Sequence, residues 1–213
     1  MLIEDGAQFT AEALKLLDQH KDGIGLPNLT VQSLPEFVAS IKEKRLNDED
    51  RRMLVDQALL LFENFYAHLP FKRSRYAVDP LQRLQLLRAK LSSLRDFEFH
   101  SELQSAFVGL RDAHTVYGLP APYKGKVAFL PFRLDCVRDQ EGNPRFVVTA
   151  IMEGFKHQDF NVRAEVTGWN GMRVPRAIQR VAEGEPGANL DANFARGLRR
   201  LTVRPLTTSL PPD

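Results

Sequence analysis

The spacing of apolar residues changes once along this chain, and that change limits the folds open to it more than any other feature. Up to Tyr117 the large apolar residues recur every three or four positions, as on the buried face of a helix. From Lys126 onward they alternate or form short runs rich in Val, Phe and Ile, as strands do. Between the two stands Gly118-Leu119-Pro120-Ala121-Pro122, where a glycine and two prolines interrupt either pattern. Helices first and strands after predicts an α+β chain, a helical bundle followed by a small mixed α/β domain.

The helical part begins faintly. Residues 10–21 place Ala13, Leu14, Leu16 and Leu17 at helical spacing behind Thr10 as N-cap, and Asp22 to Asn28 reads as a linker. A short helix is expected over residues 34–44, with Pro35 in its first turn. The strongest signal covers residues 48–69, with Leu54, Ala58, Leu61, Phe62, Phe65, Tyr66 and Leu69 on one face. Asn47 is its natural N-cap, and Pro70 its stop. Asp79-Pro80 restarts the pattern as N-cap and first-turn proline, carried on by Leu81, Leu84, Leu87 or Arg88, Leu91 and Leu94. A third helix over residues 100–110 carries Leu103, Phe107 and Leu110. Three amphipathic helices with short breaks pack as a bundle, and their stripes are its core.

Beyond the break, residues 126–138 read as one strand kinked at Pro131, and residues 146–152 as a buried strand after the Glu141-Gly142-Asn143-Pro144 turn. Residues 164–169 suggest another strand, closed by Asn170-Gly171. A helix over residues 175–183 opens on Pro175, and one over residues 191–200 sets Phe194, Leu198 and Leu201 on one side. Residues 201–204 read as a closing strand, and the tail from Pro205 to Asp213 shows no packing signal.

Several functions are excluded at this level. Lys+Arg total 29 against 27 Asp+Glu, too close to balance to expect a nucleic-acid partner. The arginines at 196, 199, 200 and 204 lack interleaved aromatics and read as a solvated helix face. No run approaches the roughly 18 apolar residues of a membrane span. The start lacks a secretory leader, so the chain as written is expected in the cytoplasm, or in the periplasm or outside the cell if a leader was removed. With Cys136 the only cysteine, no intramolecular disulfide can form. There is no His-Glu-x-x-His, no paired cysteines and no phosphate-binding glycine loop. His20, His68, His100 and His157 have no ligand spacing and read as surface or capping residues.

His114 stands apart. In Leu110-Arg111-Asp112-Ala113-His114-Thr115 it lies where a rigid helix gives way to a loop, a common place to present a general base. This segment resembles one found in the tail-specific, or C-terminal-processing, serine peptidases, including their tricorn-core-like branch. Leu61-Phe62-Glu63-Asn64-Phe65-Tyr66-Ala67-His68-Leu69-Pro70 and Phe97-Glu98-Phe99-His100 precede it in the same order. Glu165-Val166-Thr167-Gly168-Trp169-Asn170-Gly171 resembles the part of a PDZ-like module that ends in Asn-Gly. The resemblance covers residues 48–206.

It implies an extension over residues 1–45, a helical bundle over 46–118 that ends in the His114 segment, a PDZ-like domain over 119–206 and a tail over 207–213. It implies a peptide or protein substrate and no metal or organic cofactor. In the branch with a Ser-His-Glu arrangement the general base falls on His114, a residue type that titrates near neutral pH. In the Ser-Lys branch the same histidine has no catalytic part. The family's serine and its partner lie in a core domain beyond the matched segment, and the serines here occupy none of the family's nucleophile contexts. The chain therefore reads as part of an enzyme, inactive by itself and completed by a catalytic core from a longer chain. A second departure is Arg163-Ala164-Glu165, where such modules commonly carry Gly-Asp before the Asn-Gly strand. The alternative reading is a non-catalytic peptide- or protein-binding module with a PDZ-like fold.

Overall fold

The computed structural model describes residues 31–41 and 46–209, so the helix expected over residues 10–21, its linker and the end of the 34–44 helix lie outside the described residues. The fold is α+β. Helices α1 (Leu34–Ser40), α2 (Asp48–Leu60), α3 (Leu69–Tyr76), α4 (Pro80–Ala89) and α5 (Asp96–Gly109) precede every described strand. The chain packs as two compact units. Of the described residues, the helical unit takes 46–126, 183–194 and 205–209, and the strand unit takes 31–41, 127–182 and 195–204.

In the helical unit, Asn47 caps α2 by accepting the Asp50 N–H, and Asp48, Glu49 and Asp50 fill the first turn beside the positive end of the helix dipole. The single helix expected to reach residue 69 does not continue as such. Leu61–Phe65 forms a π turn, in which the Tyr66 N–H donates to the Leu61 carbonyl at 2.9 Å. The wider turn changes the phase of the stripe. Phe62 stays buried, while Leu61 and Phe65, both expected in the core, are exposed. Pro70 does not end the helical path but sits in the first turn of α3, where its missing N–H costs nothing.

Asp79 caps α4 as expected, accepting the Gln82 N–H. Helix α5 begins at Asp96 rather than at residue 100, because the Arg95 N–H and the Glu98 carboxylate close its first turn at 2.9 Å. Val55, Phe62, Leu84, Leu87, Phe99, Leu103 and Leu110 form the continuous core between these helices. A charge is buried with them. Arg51 is 3% exposed, donates to the carbonyls of Leu91 (2.6 Å) and Leu94 (2.7 Å), and pairs with Asp96 at the start of α5. One side chain of α2 thereby fixes the turn that leads into α5.

The described part of the segment without a packing signal, residues 205–209, also belongs here. Leu206 is buried and donates its N–H to the Lys126 carbonyl at 2.8 Å, and the Leu119 N–H donates to the Thr207 carbonyl at 2.8 Å. Backbone pairing of this kind leaves no mark in side-chain periodicity.

In the strand unit, Pro131 divides the expected kinked strand into two that join different sheets. Strand β1 (Val127–Phe129) pairs with β6 (Val203–Pro205), and β2 (Phe132–Arg138) runs antiparallel to β3 (Pro144–Ile151) with a bulge between Arg133 and Leu134. The strand expected over residues 164–169 shrinks to a bridge between Val147 and Glu165 and the short β4 (Gly168–Trp169). The β4 strand pairs with β5 (Met172–Arg173) across Asn170-Gly171, whose φ values of 44° and 76° are the positive pair that a type I′ turn requires.

Helices α6 (Val174–Ala182) and α7 (Leu190–Thr202) follow. They approach closely at Gly197, where a Cβ would stand 2.6 Å from the Ile178 carbonyl oxygen. Glycine is the residue that permits this approach. Among the described residues no helix is long and apolar enough to cross a membrane, and no group of three or more His, Cys, Asp or Glu is placed to hold a metal ion.

Candidate functional site

The loop that bears His114 is built by the end of α5. Leu110 closes the helix through its N–H to the Phe107 carbonyl, and Arg111 follows with φ at 50°, the left-handed conformation that commonly ends a helix. The chain then turns sharply and the next residues leave the core. Asp112 organises them. Its carboxylate accepts the His114 backbone N–H at 2.9 Å, the Tyr66 hydroxyl at 2.7 Å and the Thr115 hydroxyl at 3.3 Å. Lys72 of α3 donates to the Arg111 carbonyl at 3.0 Å. Tyr66 ends the π turn, so two earlier segments of the helical unit hold this loop from outside it.

The electrostatics follow from these contacts. Burial by itself would raise the Asp112 carboxyl, but the bonds from His114 and Tyr66, the Lys72 charge and the Thr115 hydroxyl outweigh it and hold the group below its ordinary value. Asp112 is therefore ionised at neutral pH. Tyr66 moves the other way, raised by burial and then by its bond to Asp112, and stays a protonated donor.

The imidazole itself is 97% exposed. Its Nδ1 lies 3.7 Å from the nearer Asp112 oxygen, too far for a hydrogen bond and close enough for an ion pair when the ring is protonated. Asp112 thus grips the backbone of His114 rather than its ring. Chemically, the loop presents an unencumbered imidazole on a fixed backbone, able to accept or release a proton at either nitrogen.

The other histidines differ from one another. His68 stands at the start of α3 with its ring nearly perpendicular to that of Tyr66, and His157 accepts the Asp159 N–H at 3.3 Å in a turn. His100 departs from the surface role expected of it. It is 5% exposed, with Nδ1 2.9 Å from the Tyr117 hydroxyl, and burial pushes its imidazole below the ordinary value while raising the Tyr117 phenol to about 12. The signal for it was in the sequence: His100 precedes Leu103 by three positions and Phe107 by seven, the spacing of one helix face. His20 lies outside the described residues.

Among solved structures, the fold is similar to that of mature CPAF, a chlamydial serine protease, with a TM-score of 0.59 and 19% identity over 77% of this chain. Mature CPAF complexed with lactacystin aligns at a TM-score of 0.58 over 77%, and a serine-to-alanine mutant of CPAF at 0.58 over 76%. The chain spans about 30% of the length of the CPAF chains it matches. No protein-family model and no curated protein matches it. The likeness is one of fold. It does not single out the tricorn-core-like branch.

Proposed function

We propose that this chain is the N-terminal portion of a C-terminal-processing serine peptidase, supplying a general base to a serine carried on another segment. The observation that carries the reading is the His114 loop: an exposed imidazole with no hydrogen bond at either nitrogen, on a backbone fixed by Asp112, Tyr66 and Lys72. In that role the ring accepts the serine hydroxyl proton as the oxygen attacks the peptide carbonyl, then returns it to the leaving amine. Asp112 acts on the base through the loop, as a positioning residue. The likeness of fold to CPAF supports a peptidase setting at the level of fold.

Residues 119–206 act in this reading as a PDZ-like docking domain, and residues 46–118 as the bundle that mounts the base. Strand β2 supports docking by strand addition, since it pairs only with β3 among the described residues and its other edge has no strand partner.

A second reading draws on Asp112. Its carboxylate is engaged by the Tyr66 and Thr115 hydroxyls and the His114 N–H, so it does not orient the ring as the acid of a triad does. That favours a peptide-binding module with no catalytic part. Both readings expect no turnover from this chain alone. They separate once a serine-bearing segment is supplied, where only the first makes turnover depend on His114. The first also has a direct test. The 213-residue chain is offered an unstructured peptide and a serine-directed covalent inhibitor. The expected result is no turnover and no labelled serine, because the base has no nucleophile to activate. Turnover abolished by the inhibitor would contradict the proposal and identify the serine.

A further inference from the structure

Among the described residues, a cluster of cations beside the His114 loop has no carboxylate in ion-pair contact. On α3, the Lys72 ammonium lies 5.5 Å from the centre of the Tyr76 ring and the Arg75 guanidinium 5.8 Å from it. Arg111 reaches the same ring from the end of α5, at 5.7 Å. Three positive groups thus converge on one aromatic ring, whose face attracts a cation but carries no net charge. Their neighbour Arg73 is paired with Asp79 at 2.6 Å. Asp112, whose carboxyl feels the Lys72 charge, is hydrogen-bonded by three other donors. Among the described residues no carboxylate lies within ion-pair distance of Lys72, Arg75 or Arg111.

Two further features bear on what this cluster does. Arg111 occupies a left-handed position, φ 50°, where glycine or asparagine commonly ends a helix. An arginine there costs backbone energy that its own side chain does not recover through any ion pair. Beside it, Phe71 is 57% exposed and lies under Arg75, with 5.8 Å from guanidinium to ring centre.

We propose that this surface docks an acidic peptide segment. Its carboxylates would lie against the Arg75 and Arg111 forks, which match a carboxylate in plane and donate two bonds to it at once, and an adjacent apolar side chain would cover Phe71. A peptide fits better than a nucleic acid because the cations converge at one point. A phosphate backbone is followed by a row of them. The docking role stands whether or not His114 acts as a base.

The test is fluorescence anisotropy on the 213-residue chain with a labelled unstructured peptide that alternates Asp or Glu with Leu and Phe. The same peptide with Asn and Gln in place of the acids, and a single-stranded oligonucleotide of equal charge, serve as comparisons. The acidic peptide is expected to bind at least ~10-fold more tightly than either, and more weakly as salt rises. Arg75→Gln combined with Arg111→Gly is expected to remove that preference. Arg111→Gly alone is expected to weaken binding while leaving the melting temperature unchanged or higher, since glycine adopts this φ without strain. That result separates lost docking from lost folding. Equal binding of the acidic and amide peptides, tighter binding of the oligonucleotide, or unchanged affinity in the double variant would overturn the proposal.

Discussion

The helical unit and the strand unit keep their shape by different means. The helical unit buries polar groups: Arg51, His100, Glu185 and Asn193 all lie in it, whereas Thr202 is the buried polar residue of the strand unit among those described. Arg51 ties α2 to the turn before α5, and His100 meets Tyr117 inside. The strand unit has exposed ion pairs, as at Arg145 between Asp139 and Glu165. It depends instead on backbones that come close together, at the Asn170-Gly171 turn and at Gly197. A chain assembled this way should be sensitive to lost charge in one unit and to added volume in the other.

The largest effect is expected at Arg51. Arg51→Ala removes one partner of a buried pair and strands the Asp96 carboxylate and two carbonyls, which costs about 3–5 kcal/mol. Chemical denaturation should show it as a lower midpoint. A loss under ~1 kcal/mol, the size of an exposed pair, would erase the distinction between the units.

Gly197→Ala comes next, and its sign is the informative part. In an open helix this change is stabilising by ~1 kcal/mol. Here the new Cβ meets the Ile178 carbonyl oxygen at 2.6 Å and Ala182 at 3.0 Å, and a backbone atom cannot rotate away. Overpacking of ~1–3 kcal/mol outweighs the propensity gain, so the melting temperature should fall. A rise would mean that α6 and α7 are free to separate.

The smallest effect concerns pH. Burial depresses the His100 imidazole in the folded chain, further lowered by the Arg51 charge and partly offset by Asp96. The unfolded chain therefore takes up the proton first as pH falls below the ordinary value of 6.5. Stability from this group is complete above that pH and declines below it, through the depressed folded value. Urea midpoints at pH 7.5 and pH 5.5 should differ in the native chain and differ less in His100→Gln. Equal slopes for the two would remove His100 as the source.

How much of this was legible in the sequence varies with the kind of force involved. The stripe Leu84, Leu87, Leu91 and the α4 start at Asp79-Pro80 were readable, because side-chain spacing and capping chemistry are local. The π turn at Leu61–Phe65 was not, since inserting one residue per turn changes the phase of a stripe without changing its composition. Pro131 was read as a kink in one strand, and the separation of β1 from β2 became visible only with their partners. At the candidate site, the position of His114 after a helix end was legible, but the Tyr66 and Lys72 contacts that hold its loop join residues some 40 positions apart.

The central claim is that the His114 loop exists to present a base. In the proposed enzyme, this chain joined to a serine-bearing segment, His114→Ala should lower peptide turnover by ~100-fold or more. The melting temperature should not move, because the ring is 97% exposed and makes no hydrogen bond that its loss would break. Turnover retained in the variant, with or without a lower melting temperature, would contradict the account and leave the loop a structural turn.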